Sequence, residues 1–194
     1  AGAEDPRTWF RREVLRIAAH DLAGEADLAA TTAALSRAAR RVLGVVQAEV
    51  AAEALEARER LVGVGMGKLR GDELNYASDV DILLVGDGDP RRLERAGRQV
   101  LERAGHCFRV DADLRPEGRD GALVRSVAAY EAYWERWAQP WERQALLRAE
   151  PVAGDPELAE AWAAAATAFV WGRPLSPEEL RSLRALSFSS SKVL

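Results

Sequence analysis

An α/β (α+β) domain is the fold class the sequence predicts, and three observations predict it. Short apolar runs of strand length, Leu61 to Gly65, Val80 to Val85 and Cys107 to Leu114, occupy the middle of the chain. Long stretches whose apolar residues recur with helical period lie on either side. Between the first two runs stands a glycine turn, GVGMGKLRG, with Gly65, Gly67 and Gly71. The 194 residues suffice for one sizeable domain, or one domain with a helical appendage.

In chain order, Pro6 to Leu22 collects Trp9, Phe10, Val14, Leu15, Ile17 and Ala18 on one helical face, with Asp5 as N-cap and Pro6 at the first helical position. Asp27 to Ala57 continues with an apolar stripe from Leu28 to Leu55, in which Gly44 either kinks the helix or permits close packing. Leu61 to Gly65 suits a buried strand, a polar segment of helical character follows the glycine turn, and Val80 to Val85 is a second strand. The run from Gly86 to Pro90 forces a turn into a helix over Pro90 to Ala104, stopped by Gly105. Cys107 to Leu114 reads as a third strand, with Phe108, Val110 and Ala112 on one face and Arg109, Asp111 and Asp113 on the other.

Arg115 to Gly121 is a charged loop, because Pro116 and two glycines punctuate it. Ser126 caps a helix through about Ala138, Pro140 breaks it, and Trp141 to Arg148 resumes. The aromatic set Tyr130, Tyr133, Trp134, Trp137 and Trp141 is spaced to pack on the sheet as core. Asp155 with Pro156 opens an alanine-rich helix to about Phe169, and Ser176, Pro177 and Glu179 make a capping box for a last short helix. The expected organisation is therefore N-terminal helices over 1–60, a core over 61–125, a helical segment over 126–186 and a disordered tail over 187–194.

Composition narrows the function classes. Apolar residues make up 48% and charged residues 30%, which a packed globular domain needs. A net charge of −4 gives no bulk attraction to nucleic acid. One cysteine, Cys107, excludes an internal disulfide, and with only His20 and His106 no zinc-type cluster is in view. No apolar run approaches a membrane span, and the first residues lack the pattern of a secretion signal, so a cytoplasmic protein without membrane or nucleic-acid partner is expected.

The chemistry concentrates in Leu61 to Val85. On a strand, Asp79 and Asp81 point the same way with Cα atoms about 6 to 7 Å apart, close enough to share divalent cations. Asp111 or Asp113 on the neighbouring strand is the candidate third carboxylate. Two divalent ions about 4 Å apart, held by such carboxylates, neutralise phosphate and assist in-line transfer. Magnesium accepts oxygen ligands alone, so histidine is not required. Gly65 and Gly67 let backbone approach a phosphate. Lys68 is either a phosphate contact or a solvated helix-start lysine, and Ser78 either a strand cap or a substrate hydrogen-bond donor. Arg115 and Arg119 offer planar forks to phosphate, or are simply exposed. Tyr76 stands between the glycine turn and the acids, a place from which an aromatic ring could reach a bound nucleotide.

Three separated strings carry a resemblance. GMGKLRGDELNYASDVDILLV, FRVDADLRPEGRDGALVRS and YWERWAQPWERQALLRAEPVAGD, in that order, resemble the nucleotidyltransferase domain of the glutamine synthetase adenylyltransferase and adenylyl-removing enzyme family. The resemblance implies a polymerase-β-like nucleotidyltransferase with a small mixed sheet, followed by helices. It implies that Asp79, Asp81 and Asp111 are the catalytic, Mg2+- or Mn2+-binding carboxylates, with Asp113 ranked second to Asp111. Gly67 and Lys68 stand where the wider superfamily has its glycine-serine turn, and Arg115 and Arg119 match the LRPEG loop. ATP, ADP and phosphate are the implied substrates or products, glutamine synthetase the protein substrate, and a nitrogen-signalling regulatory protein a further partner. ELNY followed by SDVD is more like the half that removes AMP by phosphorolysis than the half that adds it. The chain departs from the family pattern at Arg70, which puts bulk and charge where GKLGG is usual, and at Asp72. Two alternatives stay open: a catalytically impaired regulatory or binding fragment, and a nucleotidyltransferase for a small-molecule acceptor.

Overall fold

The computed structural model describes residues 4–181 and residue 183. The elements are α1 (Pro6–Leu22), α2 (Leu28–Ala54), β1 (Arg60–Met66), α3 (Gly67–Arg70), β2 (Val80–Asp87), α4 (Pro90–Gly105), β3 (Val110–Asp111), β4 (Val124–Arg125), α5 (Val127–Arg136), α6 (Pro140–Leu146), β5 (Ala149–Gly154) and α7 (Pro156–Trp171). A 3-10 turn spans Gly118–Asp120. The tail expected over 187–194 lies outside the described residues.

Helix starts follow local chemistry. The carboxylates of Asp5, Asp27, Asp89 and Asp155 and the hydroxyl of Ser126 each accept a backbone N–H from the first turn. Ser176 and Glu179 form the reciprocal capping box. Gly44 neither ends α2 nor faces a close neighbour, so the close-packing role does not hold there.

The sheet is mixed, in the order β3-β2-β1-β5 with β4 also on β2. β1 runs antiparallel to β2 and β5, whereas β2 runs parallel to β3 and β4. Strand alternation divides the core in two. Leu61, Val80, Ile82 and Leu84 face α1, α2 and α4, and Val62, Val64, Met66, Leu83 and Val85 face α5, α6 and α7. Because β1 and β2 are covered on both sides, they read as unbroken apolar runs.

Three expectations are corrected. β3 is only two residues, not Cys107 to Leu114, since Asp113 already donates its N–H back to Asp111 and turns the chain away. Residues 149–154, unassigned from sequence, form β5; Pro151 hid it, yet a proline is tolerated on an edge strand with a bulge, and the register shifts opposite Gly63 and Val64. The aromatic set splits: Tyr130 and Trp134 are core, but Trp137 is exposed and Trp141 partly so, because α5 ends at Arg136.

Gln47 of α2 shows how helix and sheet are joined. Its side-chain amide donates to the carbonyl of Leu61 at 2.7 Å, from full burial, against Gly63 and Gly154, whose missing side chains make the room.

Candidate active site

β2 begins at Val80, so Asp79 precedes the strand and Asp81 is its second residue. Asp81 has the parity of Leu83 and Val85 and therefore opens on the face that the C-terminal helices cover further along. Parallel pairing sets Val80 beside Val110 and Asp81 beside Asp111. A backbone hydrogen bond from the Val80 N–H to the Arg109 carbonyl, 2.9 Å, locks that register. Asp81 and Asp111 are thus neighbours on one sheet face by strand geometry alone.

The three carboxylates differ in their surroundings. Asp81 is half-buried, and its pKa is pushed up to about 6, first by burial, then by the negative charges of Asp111 and Asp79; Lys68 offsets part of this. Asp79 is held below its ordinary value, chiefly by its hydrogen bonds to the Arg109 guanidinium. That pair is bidentate, with Arg109 Nη2 2.7 Å from Oδ2 and Nε on Oδ1. Asp111 accepts the Asp113 N–H on Oδ1 at 2.7 Å.

The glycine turn is where the spacing placed it. Gly67 adopts φ +52° and opens α3, and a side chain there would begin 3.7 Å from Asp81 Oδ2. Its N–H donates to the Arg148 carbonyl at 2.9 Å, which ties the turn to the entry of β5. Lys68, next in α3, is close enough to act electrostatically on both Asp79 and Asp81. Gly65 does something else: it is buried in β1, where a side chain would strike Leu69 and Val152, so its role is packing.

Other expected site residues are engaged by the protein. The Ser78 hydroxyl accepts the Asn75 N–H at 3.1 Å and closes a turn ahead of Asp79. Arg115 is nearly buried and donates to the carbonyls of Ala112, Gly121 and Arg119 and to Asp113. It knits the 115–121 loop rather than projecting from it. Arg119 is 84% exposed and bonds Asp113 at 2.5 Å. Asp113 is thereby claimed by two guanidinium groups and does not join Asp81 and Asp111. Tyr76 is exposed and donates to Asp21 at 3.0 Å.

Arg70, the departure in the glycine turn, does not crowd the carboxylates. Its guanidinium lies 3.7 Å from Glu150, whose strand partner Gly65 belongs to the opposite sheet face. Asp72, at φ 58°, binds Arg40 at 2.5 Å, and Arg40 also donates to the Leu69 carbonyl near the end of α3. The two unusual residues are part of the scaffold under the turn.

Sequence reasoning missed Arg109 as the partner of Asp79. The signal available was its place on the same strand face as Asp111, two residues away. Beside the carboxylates a cavity of about 880 Å³ is lined by Asp79, Arg109, Asp111, Asp113, Arg119 and the loop to Leu123, among others.

An oxygen-only donor set with excess negative charge fits a hard divalent cation such as Mg2+ or Mn2+. Among the described residues, no three His, Cys, Asp or Glu side chains are grouped so that they could hold a metal ion as they stand. Asp79 and Asp111 give oxygens to protein donors instead.

A family model described as glutamate-ammonia ligase adenylyltransferase matches residues 2–165. The bifunctional glutamine synthetase adenylyltransferase/adenylyl-removing enzyme of Streptomyces coelicolor is 44% identical over 193 residues, covering 88% of this chain and 19% of that protein. Its namesake in Mycobacterium tuberculosis is 42% identical over 176 residues, covering 85% of this chain and 18% of that protein. The chain therefore spans about a fifth of the length of these relatives.

Proposed function

The chain belongs to the glutamate-ammonia ligase adenylyltransferase family, and from that premise we propose that Asp79, Asp81 and Asp111 are the cation-binding carboxylates of a nucleotidyl-transfer site acting on glutamine synthetase. The observation that carries this reading is the pairing of Asp81 with Asp111 across parallel strands, with Asp79 two residues before. A bound Mg2+ or Mn2+ supplies charge neutralisation at the phosphoryl oxygens and at the attacking and leaving oxygens.

The residues of the chain do the rest. Asp81 and Asp111, fixed by the sheet, provide oxygens without reorganising backbone. Gly67 keeps the space above Asp81 free of side chain, so a phosphate can approach the turn. Lys68 adds positive charge on that side. Gly65, Ser78 and Arg115 support the site from behind, by packing, turn closure and loop bracing.

The proposed direction is removal, because the ELNY to SDVD string is more like the removing half of the family. Inorganic phosphate attacks the α-phosphorus of the AMP–tyrosine ester, the tyrosine oxygen leaves and takes a proton, and ADP forms. In the forward direction the tyrosine attacks ATP and pyrophosphate leaves. A cytoplasmic setting and a nitrogen-signalling regulatory partner belong to the same proposal. Incubation of the chain with adenylylated glutamine synthetase, phosphate and magnesium tests it: ADP should appear as AMP leaves the protein substrate. Folded protein that yields neither ADP from that mixture nor modified enzyme from ATP would defeat the assignment.

A further inference from the structure

Arg109 joins the carboxylates to the spaces beside them. Arg109 lines both the polar cavity of mixed charge that runs to Leu123 and an apolar groove formed with α1 and residues 74–80. It is 77% exposed, so little besides Asp79 fixes its guanidinium. Its backbone is anchored by the Val80 N–H, so the fork pivots about a point two residues from Asp111.

A guanidinium and a hard cation compete for the same oxygens of Asp79. Both oxygens are taken by Arg109. A cation that binds Asp79 therefore weakens the hold of the fork, by drawing on the same oxygens and by repelling its charge, and the freed fork stays within one side chain's reach of the site. Its planar donors match a phosphate as well as they match a carboxylate. The other guanidinium groups of the cavity are placed differently. Arg98 pairs with Glu94 at 3.0 Å, and Arg115 and Arg119 with Asp113, carboxylates outside the Asp79, Asp81 and Asp111 set. Arg109 is the cavity guanidinium whose partner a cation at that set would release.

We propose that Arg109 is an exchanging counter-ion: it holds Asp79 until a divalent cation claims that carboxylate, then binds a phosphate oxyanion delivered to the same site. This rests on the cation-binding reading of Asp79, Asp81 and Asp111. The oxyanion is either inorganic phosphate or the polyphosphate tail of a nucleotide, which share the same tetrahedral edge.

Calorimetric titration of the chain with Mn2+, and then with phosphate or ATP at saturating Mn2+, tests the exchange in wild type, Arg109→Gln and Arg109→Lys. Circular dichroism confirms the fold of each variant. With the competitor removed, Arg109→Gln should bind Mn2+ more tightly, on the order of tenfold, while losing oxyanion affinity by on the order of tenfold. Arg109→Lys, which keeps charge without the fork, should lie between the two. Loss confined to the phosphate titration assigns Arg109 to inorganic phosphate, and loss confined to ATP assigns it to the nucleotide tail. If Mn2+ binds wild type, is lost in Asp81→Asn and is unchanged in Arg109→Gln with full oxyanion affinity, the exchange is overturned while the cation site stands. If wild type binds no Mn2+, the cation site falls too.

Discussion

Asp113 and Asp81 belong to one neighbourhood and receive very different amounts of positive charge. Asp113 lies in the turn after β3, between Arg115 at 3.4 Å and Arg119 at 2.5 Å. Asp81 lies on β2 beside Asp111, two residues from Asp79, with Lys68 as a partial offset, and its pKa rises to about 6. The first carboxylate is satisfied by its own chain and braces a loop. The second is short of positive charge at neutral pH. Residue type and strand face did not separate these two acids; the distribution of guanidinium groups did. A carboxylate array that the chain leaves under-neutralised is the part available to an external cation.

The largest expected effect tests this contrast directly. In the proposed reaction, Asp81→Asn should lower turnover of adenylylated glutamine synthetase by on the order of 10³-fold, whereas Asp113→Asn should retain most of it. Comparable losses in both would erase the distinction.

Arg115 offers the converse. It is 11% exposed and donates to three carbonyls and a carboxylate. Arg115→Met should destabilise the chain by about 2 to 3 kcal/mol, read from urea unfolding. A stable variant that has lost only phosphate affinity would return Arg115 to the role of a ligand contact.

Asp81 should behave oppositely in stability. Its folded pKa lies above the ordinary carboxylate value, so the folded state binds the proton more tightly than the unfolded one. That contribution is present below the unfolded pKa and is lost as pH rises from about 4 to about 6. Asp81→Asn removes the penalty, and at neutral pH, allowing for solvent screening, it should gain about 1 to 2 kcal/mol. Cation affinity should move the other way with acid, since protonation below about 6 removes a ligand oxygen. Unfolding curves and Mn2+ titrations across pH 4 to 8 check both signs.

Arg70 should show the smallest effect. Its pair with Glu150 is half exposed and on the far sheet face. Arg70→Gly, which restores the usual family turn, should change stability by less than about 0.5 kcal/mol and leave phosphate affinity alone. A large gain in turnover would mean that the turn moves during the reaction.

Much of this was legible in the residues. Caps at Asp5, Ser126 and Asp155 marked helix starts because capping is a local reaction between a side chain and the next turn. The position of Gly67 between strand and helix was legible, whereas Asp79, expected on the strand with Asp81, precedes β2. β5 was not legible, because Pro151 argues against a strand until its edge position is known. The full length of β3 was overread, since alternation at Arg109, Asp111 and Asp113 continues past the point where the chain turns.

What the sequence determined by itself is periodic and local: two apolar central strands and the glycine turn between them. These follow from rotations of about 180° or 100° per residue, which the backbone fixes locally. Tertiary structure decided which charges meet. The partnership of Asp79 with Arg109, the capture of Asp113 by Arg115 and Arg119, and the turning of Arg70 toward Glu150 join elements far apart in sequence or fix the direction of a long side chain. The difference has one physical cause. Backbone periodicity is set residue by residue, but electrostatic partnership depends on distances that exist only after strands have paired and loops have closed.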